Sequence, residues 1–295
     1  MTFDRMILNY LETIKQSKSE NTCRIYTQSC YAFKKWLEKQ GKDIHDMIVL
    51  SEDKAFFSPV EQVKYADYLR ATGCAETTLK LRMVVLKQLL TFCADKGYVA
   101  CDCFVPNVIT RNLATVSCID KKDAMDIYAI ASELDETDSY VTVRTKLSIL
   151  LTLLCGFKVS ELCDLRLDDL DVKNRAVSTN GIIKYIFNEN IIPNLNFYLT
   201  CRTECLAVNE KEGSDYLFIN KYGDKITPHD LTFSYRRFCD ERGLSKSLSF
   251  SAMRNLCIRY YGDKLSDNTL VAKIFDITQE RIKQLKREIS KKEIV

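Results

Sequence analysis

Glycine and proline are scarce in this chain of 295 residues, which holds 9 glycines and 4 prolines. Together they make about 4% of the residues, against about 12% in average proteins. Hairpin-rich folds, the Rossmann fingerprint and the P-loop all depend on glycine at fixed turn positions. The scarcity therefore argues against a mostly-β fold, a Rossmann enzyme or a P-loop enzyme, and it predicts a mainly helical protein.

Other signals are also missing. No run approaches the roughly 18 consecutive apolar residues of a membrane span, and the opening MTFDRMILNYLETIKQ lacks the apolar segment of a signal peptide. The chain has two histidines, His45 and His229, and its 13 cysteines form no C-x-x-C pair. Zinc modules need closely paired ligands. We therefore expect no metal and no cofactor, and we expect buried free thiols in a cytoplasmic protein.

Charge gives a weak signal, because 43 basic and 40 acidic residues leave a net charge of +3. A nucleic-acid partner would show in how those charges cluster rather than in their sum. At about 100–200 residues per domain the length indicates two domains. The 46% of hydrophobic residues are enough to build a core in each.

Apolar residues at helical spacing predict four helices in the first hundred residues, at 3–16, 19–37, 60–72 and 76–96. In the third helix, Val63, Ala66, Tyr68 and Leu69 are predicted to lie inside. The helical period is lost from residue 101 to 119, which is typical of an interdomain linker. The chain is therefore divided into a helical domain at 1–104, a linker at 105–119 and a second domain at 120–295.

The second domain is predicted to be helical with one small sheet. Residues 176–179 and 182–187 have strand character and flank Asn180-Gly181, a strong hairpin-turn dipeptide. Helices are predicted at 121–134, 141–156, 158–165, 192–206, 227–242 and 249–264, and from 269 to the end. The fold class is therefore mainly α with a small β-hairpin.

Three segments in order along the chain carry known motifs. Residues 19–37, SENTCRIYTQSCYAFKKWL, are similar to a T-x-x-x-Y-x-x-x-L-x-x-F helix. Residues 150–171, LLTLLCGFKVSELCDLRLDDLD, are similar to an apolar helix, a G-L-R-x-S-E-L turn and a strand entry. With residues 76–98, which look like a domain-closing helix, they resemble the tyrosine recombinase (phage integrase) family. The resemblance implies an N-terminal core-binding, SAM-like helical domain and an α-rich catalytic-like domain.

The family's chemistry names the residues that a working site requires. In the family a tyrosine attacks a DNA phosphodiester, two arginines stabilise its charge, a hairpin lysine protonates the leaving oxygen, and histidines move protons. Matched by motif, the first arginine falls at Lys158, the hairpin lysine at or near Asn180, and the second arginine at Arg254 in SFSAMRN. Ser251 and Asn255 stand where the flanking histidines belong.

The remaining positions also depart from the family pattern. Lys184 is the nearest substitute for the hairpin lysine, and the L-G-H turn aligns with Phe275-Asp276-Ile277, which has no histidine. The nucleophile position falls near Lys286, and no tyrosine follows Tyr261. A lysine at 158 keeps the charge but lacks the planar fork that grips two phosphate oxygens. The resemblance therefore implies a catalytically incomplete member.

A second alignment is open at residues 227–231. Thr227-Pro228-His229-Asp230-Leu231 resembles a P-H-D-L-R-H motif, with Thr232 where the arginine belongs. This alignment would bring Tyr260 or Tyr261 near the nucleophile position, but it leaves a shorter spacing from Lys158 than the family suggests. His229 is better explained as a residue of a helix start, after Thr227 and Pro228.

Basic residues of the first domain are candidates for DNA contacts, because the family lays helices of this domain against DNA. Contacts of this type supply most sequence-independent affinity. The candidates are Lys15, Arg24, Lys34, Lys35, Lys80, Arg82 and Lys87. The alternative is that they only form the solvated faces of their helices.

The C-terminal segment is basic and amphipathic. Residues 279–294 hold six basic and three acidic side chains, and Ile282, Leu285 and Ile289 recur at helical spacing. Such a helix either packs on its own domain or, as the resemblance implies, docks onto a neighbouring protomer on DNA.

Together these observations predict a sequence-specific DNA-binding protein of tyrosine recombinase fold that clamps DNA without cleaving it. It would be an accessory or regulatory subunit in the recombination of a mobile element, associated with the nucleoid in a bacterial cytoplasm and with no membrane partner. Lys158, Lys184 and Arg254 would contact the phosphate. Its partners would be double-stranded DNA and, through the C-terminal helix, a second copy or an active homologue.

Two alternatives stand beside this prediction. One is an active recombinase or integrase whose displaced nucleophile is Tyr260 or Tyr261. The other is an interaction subunit that joins an active recombinase without gripping DNA.

Overall fold

The chain divides into two units, Met1–Ala114 and Thr115–Val295, each with its own apolar core. The computed structural model describes residues 2–41, 59–98, 119–179, 182–186, 189–211, 213–244, 248–265 and 267–290. Residues 105–118 of the predicted linker therefore lie outside the described part. Within the described residues no helix is long and apolar enough to cross a bilayer.

Helices make up the described part of the first unit. They are α1 (Phe3–Lys15), α2 (Glu20–Lys39), α3 (Pro59–Ala71) and α4 (Glu76–Asp95). The four predicted helices are confirmed to within two residues at each end. Ser19 caps α2, where its hydroxyl accepts the Thr22 N–H at 3.4 Å.

An aromatic cluster fills the core of this unit. The ring of Tyr65 on α3 lies 5.0 Å from that of Phe33 and 5.2 Å from that of Trp36, both on α2. The prediction for α3 is wrong at Val63, which is 42% exposed, whereas Tyr65 is fully buried. Since α3 has apolar residues on several faces, their spacing does not show which face is inside.

The second unit is built around α6 (Tyr140–Cys155), whose residues are almost all buried from Val143 onward. The surrounding helices are α5 (Lys121–Ser132), α8 (Ile192–Val208), α9 (Pro228–Glu241) and α10 (Phe250–Lys264). A short helix, α7 (Val159–Asp164), follows α6 and packs against α9. The predicted central apolar helix is confirmed.

A small antiparallel sheet interrupts these helices, in the order β1 (Leu170–Asp171), β2 (Ala176–Thr179), β3 (Ile182–Ile186). Thr179 pairs with Ile182, so β2 and β3 form the predicted antiparallel pair on either side of residues 180 and 181. Asn180 and Gly181 themselves lie outside the described residues. Val177 pairs with Tyr185 and Ser178 with Ile183, which makes Lys184 the extra residue of a β-bulge.

The C-terminal part forms two helices, α11 (Asn268–Phe275) and α12 (Gln279–Ser290). The apolar spacing predicted one helix from 269 onward, and that prediction is wrong. Asp276 takes a left-handed conformation with φ of 49° and ends α11, at the turn that the family motif places there. Ile282 and Leu285 on α12 are fully buried, and α12 packs on α10 of its own unit.

Candidate functional site

A pocket of about 400 Å³ in the second unit contains the central residues of the motif match. It is lined by Phe157, Lys158, Val159, Ser160, Phe250, Ser251, Arg254, Asn255, Ile258, Ile277 and Arg281. We call it the basic pocket. Lys158, Ser251 and Arg254 thus come together from distant parts of the chain. Asn180 lies outside the described residues, and Lys184 is placed by its backbone alone, on β3.

The end of α6 determines where Lys158 sits. Gly156 has φ of 68°, and its N–H donates to the Thr152 carbonyl at 2.9 Å, which ends the helix. Lys158 then precedes α7, and its backbone N–H donates to Oε2 of Glu161 at 2.9 Å. The carboxylate therefore caps the first turn of α7 and keeps Lys158 at the pocket.

Arg254 is held by two backbone carbonyls. Its Nε donates to the Gly156 oxygen at 2.9 Å and its Nη2 to the Phe275 oxygen at 2.6 Å. These bonds join the ends of α6 and α11 to α10 and fix the plane of the guanidinium. They leave its positive charge without a carboxylate on the same two nitrogens.

Lys158 has acidic neighbours. Its Nζ lies 3.0 Å from Oδ2 of Asp276 and 3.6 Å from Oε1 of Glu161. The lysine side chain is 36% exposed, and that of Asp276 is 80% exposed. Solvent therefore screens the pair with Asp276.

Arg281 is a pocket residue that sequence reasoning missed. It lies in the first turn of α12, and its Nη1 donates to Oε1 of Gln284 at 2.9 Å. The signal that could have found it was its position, four residues after Ile277 at the start of a basic helix. The face that a helix turns toward a distant motif is a tertiary property, so spacing alone did not select it.

The basic pocket favours an anion. Lys158, Arg254 and Arg281 supply three cationic groups, against the carboxylates of Glu161 and Asp276 beside Lys158. The first turns of α10 and α12 also border it, and the N-terminal ends of helices are positive. Its charge suits a phosphate group, and its described lining holds no tyrosine or histidine.

Lys286, near the position matched to the nucleophile, forms its hydrogen bonds with residues that do not line the basic pocket. Nζ of Lys286 donates to the Gly262 carbonyl at 2.6 Å and to Oδ1 of Asn268 at 3.2 Å. Lys286 is not among the residues that line the basic pocket. It ties α12 to α10 instead.

Neither alternative nucleophile reaches the pocket lining. Tyr260 is 56% exposed, and its ring centroid lies 5.7 Å from Nζ of Lys264. The ring of Tyr261 lies 5.8 Å from that of Phe275, and burial raises the pKa of the Tyr261 phenol. A raised pKa makes the phenolate harder to form, which opposes nucleophilic attack.

The interpretation of His229 as a helix-start residue is confirmed. Thr227 is the N-cap of α9 and accepts the Asp230 N–H at 3.2 Å, with Pro228 in the first turn. Thr232, which occupies the arginine position of the second alignment, donates its hydroxyl to the Pro228 carbonyl at 2.7 Å. It lies on α9, outside the pocket lining.

The candidate cations of the first unit have different surroundings. Lys34 is 2.7 Å from Oδ1 of Asp4, and that hydrogen bond raises the pKa of the lysine. Arg24 is exposed and donates to Oδ1 of Asn21 at 2.9 Å.

The candidate cations of α4 lie on two faces of the helix. Lys80 and Lys87 are seven residues apart and share one face, while Arg82 projects from the other side. Lys15 and Lys35 are exposed. Their DNA contacts stay a prediction.

The fold and the pocket define a class of protein: an α-rich domain with one hairpin and a cationic pocket, preceded along the chain by a separate helical unit. A family model described as the phage integrase family matches residues 118–282, more than half of the chain. The chain belongs to this family, the tyrosine recombinases.

Relatives match along most of their length. The tyrosine recombinase XerC of Listeria welshimeri is 21% identical over 257 residues, which cover 85% of this chain and 81% of the relative. The XerC of Lactobacillus delbrueckii subsp. bulgaricus is 25% identical over 254 residues, 83% and 80% of the two chains.

Solved structures share the fold at low identity. A lambda integrase (75–356) dimer bound to a COC′ core site has a TM-score of 0.69 at 14% identity, covering 97% of this chain and 95% of that one. The XerH site-specific recombinase bound to difH substrate has a TM-score of 0.66 at 14% identity, covering 97% and 82%.

Proposed function

We propose that this protein binds duplex DNA at specific sites and takes part in recombination without cleaving strands itself, as an accessory or regulatory subunit. The observation that carries the proposal is the basic pocket. It brings Lys158, Arg254 and Arg281 together, yet its described lining has no tyrosine. By the motif match, the nucleophile position falls near Lys286, which is bonded to Gly262.

The DNA-binding part rests on charge and on relatives. Phosphate contacts from lysine and arginine provide affinity for any duplex, and a pocket with three cations offers one such contact site. The lambda integrase and XerH neighbours are described as bound to DNA. By analogy, the first unit would add contacts through exposed cations such as Lys87 and Arg24.

The non-cleaving part rests on the missing nucleophile. Attack on a phosphodiester needs an oxygen that can be deprotonated in line with the leaving group. Lys286 offers an ammonium already bonded to Gly262, and Tyr261 is partly buried against Phe275. Bound phosphate would therefore be held without being attacked.

Trapping on nicked suicide duplexes tests this part. Duplexes tiled over the DNA that flanks the protein's own gene are incubated with it, and covalent protein–DNA adducts are sought on denaturing gels. We expect none, while an active XerC-type recombinase on its own site gives adducts in parallel. An adduct that disappears in Tyr260→Phe or Tyr261→Phe would establish the active-recombinase alternative.

Footprinting on the same DNA separates DNA binding from a pure interaction role. We expect protected sites with the protein alone at moderate salt, and weaker protection as salt rises. Protection seen only when an active recombinase is added would favour the interaction subunit.

A further inference from the structure

The cationic groups of the basic pocket differ in how far their charges are already balanced. Nζ of Lys158 has two carboxylates near it, Asp276 at 3.0 Å and Glu161 at 3.6 Å. An incoming phosphate would have to compete with both for the lysine. The lysine therefore contributes less to anion binding than its position in the motif suggests.

The two arginines are in a different state. Arg254 donates Nε and Nη2 to the carbonyls of Gly156 and Phe275, and Arg281 donates Nη1 to the side-chain amide of Gln284. All three acceptors are neutral, so these bonds orient the guanidinium groups without cancelling their charge. In the described part of the chain, no ion pair within 4.0 Å is formed by either arginine.

Both guanidinium groups are also well supported. Arg254 is anchored at two points on α6 and α11, and Arg281 follows the Thr278 hydroxyl that accepts its backbone N–H at 3.2 Å. The next residue, Ile282, is fully buried. Preorganised donors lose less freedom when an anion binds than flexible surface side chains do.

We propose that Arg254 and Arg281 form the phosphate-gripping pair of the basic pocket, with Lys158 in a minor role. Arg281 then supplies the second planar fork, from α12 instead of from the α6–α7 turn. Guanidinium forks match phosphate oxygens in two-bond geometry, which a lysine cannot do. This inference rests on the proposed DNA-binding function for the identity of the natural anion, but the pair itself can be tested without DNA.

Inorganic phosphate is the first probe. The full-length protein is labelled with ¹⁵N-arginine and titrated with phosphate, with the side-chain Nε–H resonances assigned through Arg254→Lys and Arg281→Gln. We expect the resonances of Arg254 and Arg281 to shift together, with one apparent affinity that Arg281→Gln weakens about ten-fold. A response from Arg254 without Arg281, or from neither, would overturn the pair.

Duplex DNA of random sequence is the second probe, with affinity measured at several salt concentrations. We expect Arg281→Gln to weaken binding about ten-fold and to lower the salt slope by about 0.9, as for one lost phosphate contact. Lys158→Gln should cost less than about three-fold. Arg287→Gln, on the exposed side of α12 and outside the pocket lining, is the matched control with a similarly small effect.

The two experiments distinguish a failure of the proposed pair from a failure of the proposed function. If phosphate shifts both arginines but the wild-type protein does not bind duplex DNA at low salt, the pair stands and the proposed function fails. If the protein binds DNA and Arg281→Gln behaves like Arg287→Gln, or Lys158→Gln costs more than Arg281→Gln, the pair fails and the proposed function stands.

Discussion

At the scale of single residues, Gly156 matters most to the basic pocket. It ends α6 in a left-handed conformation, and its carbonyl accepts a hydrogen bond from Arg254. A Cβ at this position would lie 2.5 Å from Cε1 of Phe275 and 3.2 Å from Sγ of Cys257. Backbone conformation and packing therefore both require glycine here.

Gly156→Ala should lower the free energy of unfolding by about 2–5 kcal/mol, combining left-handed strain with overpacking. Gly243→Ala is the matched control, because Gly243 has φ of 62° but a Cβ added there would meet nothing within 4 Å. It should cost only the strain, about 1–2 kcal/mol. Urea unfolding of both variants measures the difference. Equal losses in the free energy of unfolding would show that the Phe275 ring moves aside and that overpacking adds nothing.

At the scale of elements, the turn between α11 and α12 links the pocket to the C-terminal helix. Asp276 sits in this turn with φ of 49° and places its carboxylate 3.0 Å from Nζ of Lys158. Asparagine also tolerates the left-handed region, so the turn can survive removal of the charge. The carboxylate limits how much Lys158 contributes to anion binding.

Asp276→Asn should therefore strengthen duplex DNA binding about three-fold, because only Glu161 then competes with phosphate for Lys158. This is a gain of about 0.7 kcal/mol. Asp215→Asn is the control, since Asp215 is also 80% exposed and is paired with Arg166 at 3.4 Å, outside the pocket lining. Fluorescence anisotropy with a labelled duplex gives both affinities. An equal gain in the two variants would mean that only net charge matters.

Sequence predicted the elements well where one local signal dominates. The apolar stripe of Phe33, Trp36 and Leu37 marks α2, and Asn180-Gly181 marks the hairpin, because both signals arise within a few neighbouring residues. The break at Asp276 was missed by periodicity, since apolar spacing continues through it and no glycine marks the turn.

The site was predictable only where motifs name it. Lys158, Ser251 and Arg254 line one pocket, as the motif match implied. Arg281 and the ion pair of Lys34 with Asp4 depend on which helix faces meet in space. No spacing rule contains that information, because it is decided by packing between elements.

At the scale of the whole molecule, free thiols are distributed through both cores. Among the ten described cysteines none is in a disulfide, and six are buried, whereas Cys23, Cys74, Cys201 and Cys205 are partly exposed. The prediction of free thiols is confirmed for these ten, but the prediction that they are buried is wrong for the four that are partly exposed. The described residues contain no group of three or more side chains suited to hold a metal.

The buried thiols predict a loss of stability in alkali. Burial raises the pKa of Cys30, Cys93, Cys155 and Cys163 from 9.0 to about 12. Below pH 9 the thiols stay protonated in both the folded and the unfolded state. Above pH 9 the thiols of the unfolded state ionise while the buried ones do not, so the unfolded state is stabilised relative to the folded state. Each such thiol should remove about 1.4 kcal/mol per pH unit, until the pH reaches the folded pKa.

Urea unfolding between about pH 8 and pH 10 measures this loss. Far-UV circular dichroism follows both units, and Trp36, the single tryptophan, reports on the first core. Circular dichroism then gives the free energy of unfolding at each pH. Cys155→Ala should reduce its pH slope by the contribution of one thiol, about 1.4 kcal/mol per pH unit. A free energy of unfolding that stays constant over this range would refute the prediction.

Lys286 lies near the position that the motif match gives to the nucleophile, and its contacts would make a tyrosine difficult to accommodate there. Its ammonium bonds to the Gly262 carbonyl, and its Cε would lie only 3.1 Å from a Cβ at Gly262, so the side chain lies closely against α10. A tyrosine at 286 would remove that tether and bring a rigid ring to a space fitted to a slender aliphatic stem. We therefore expect Lys286→Tyr to destabilise the contact between α10 and α12 before it supplies a usable phenol. On the proposed function, a usable phenol at this position would therefore require a second change that loosens α12 from α10.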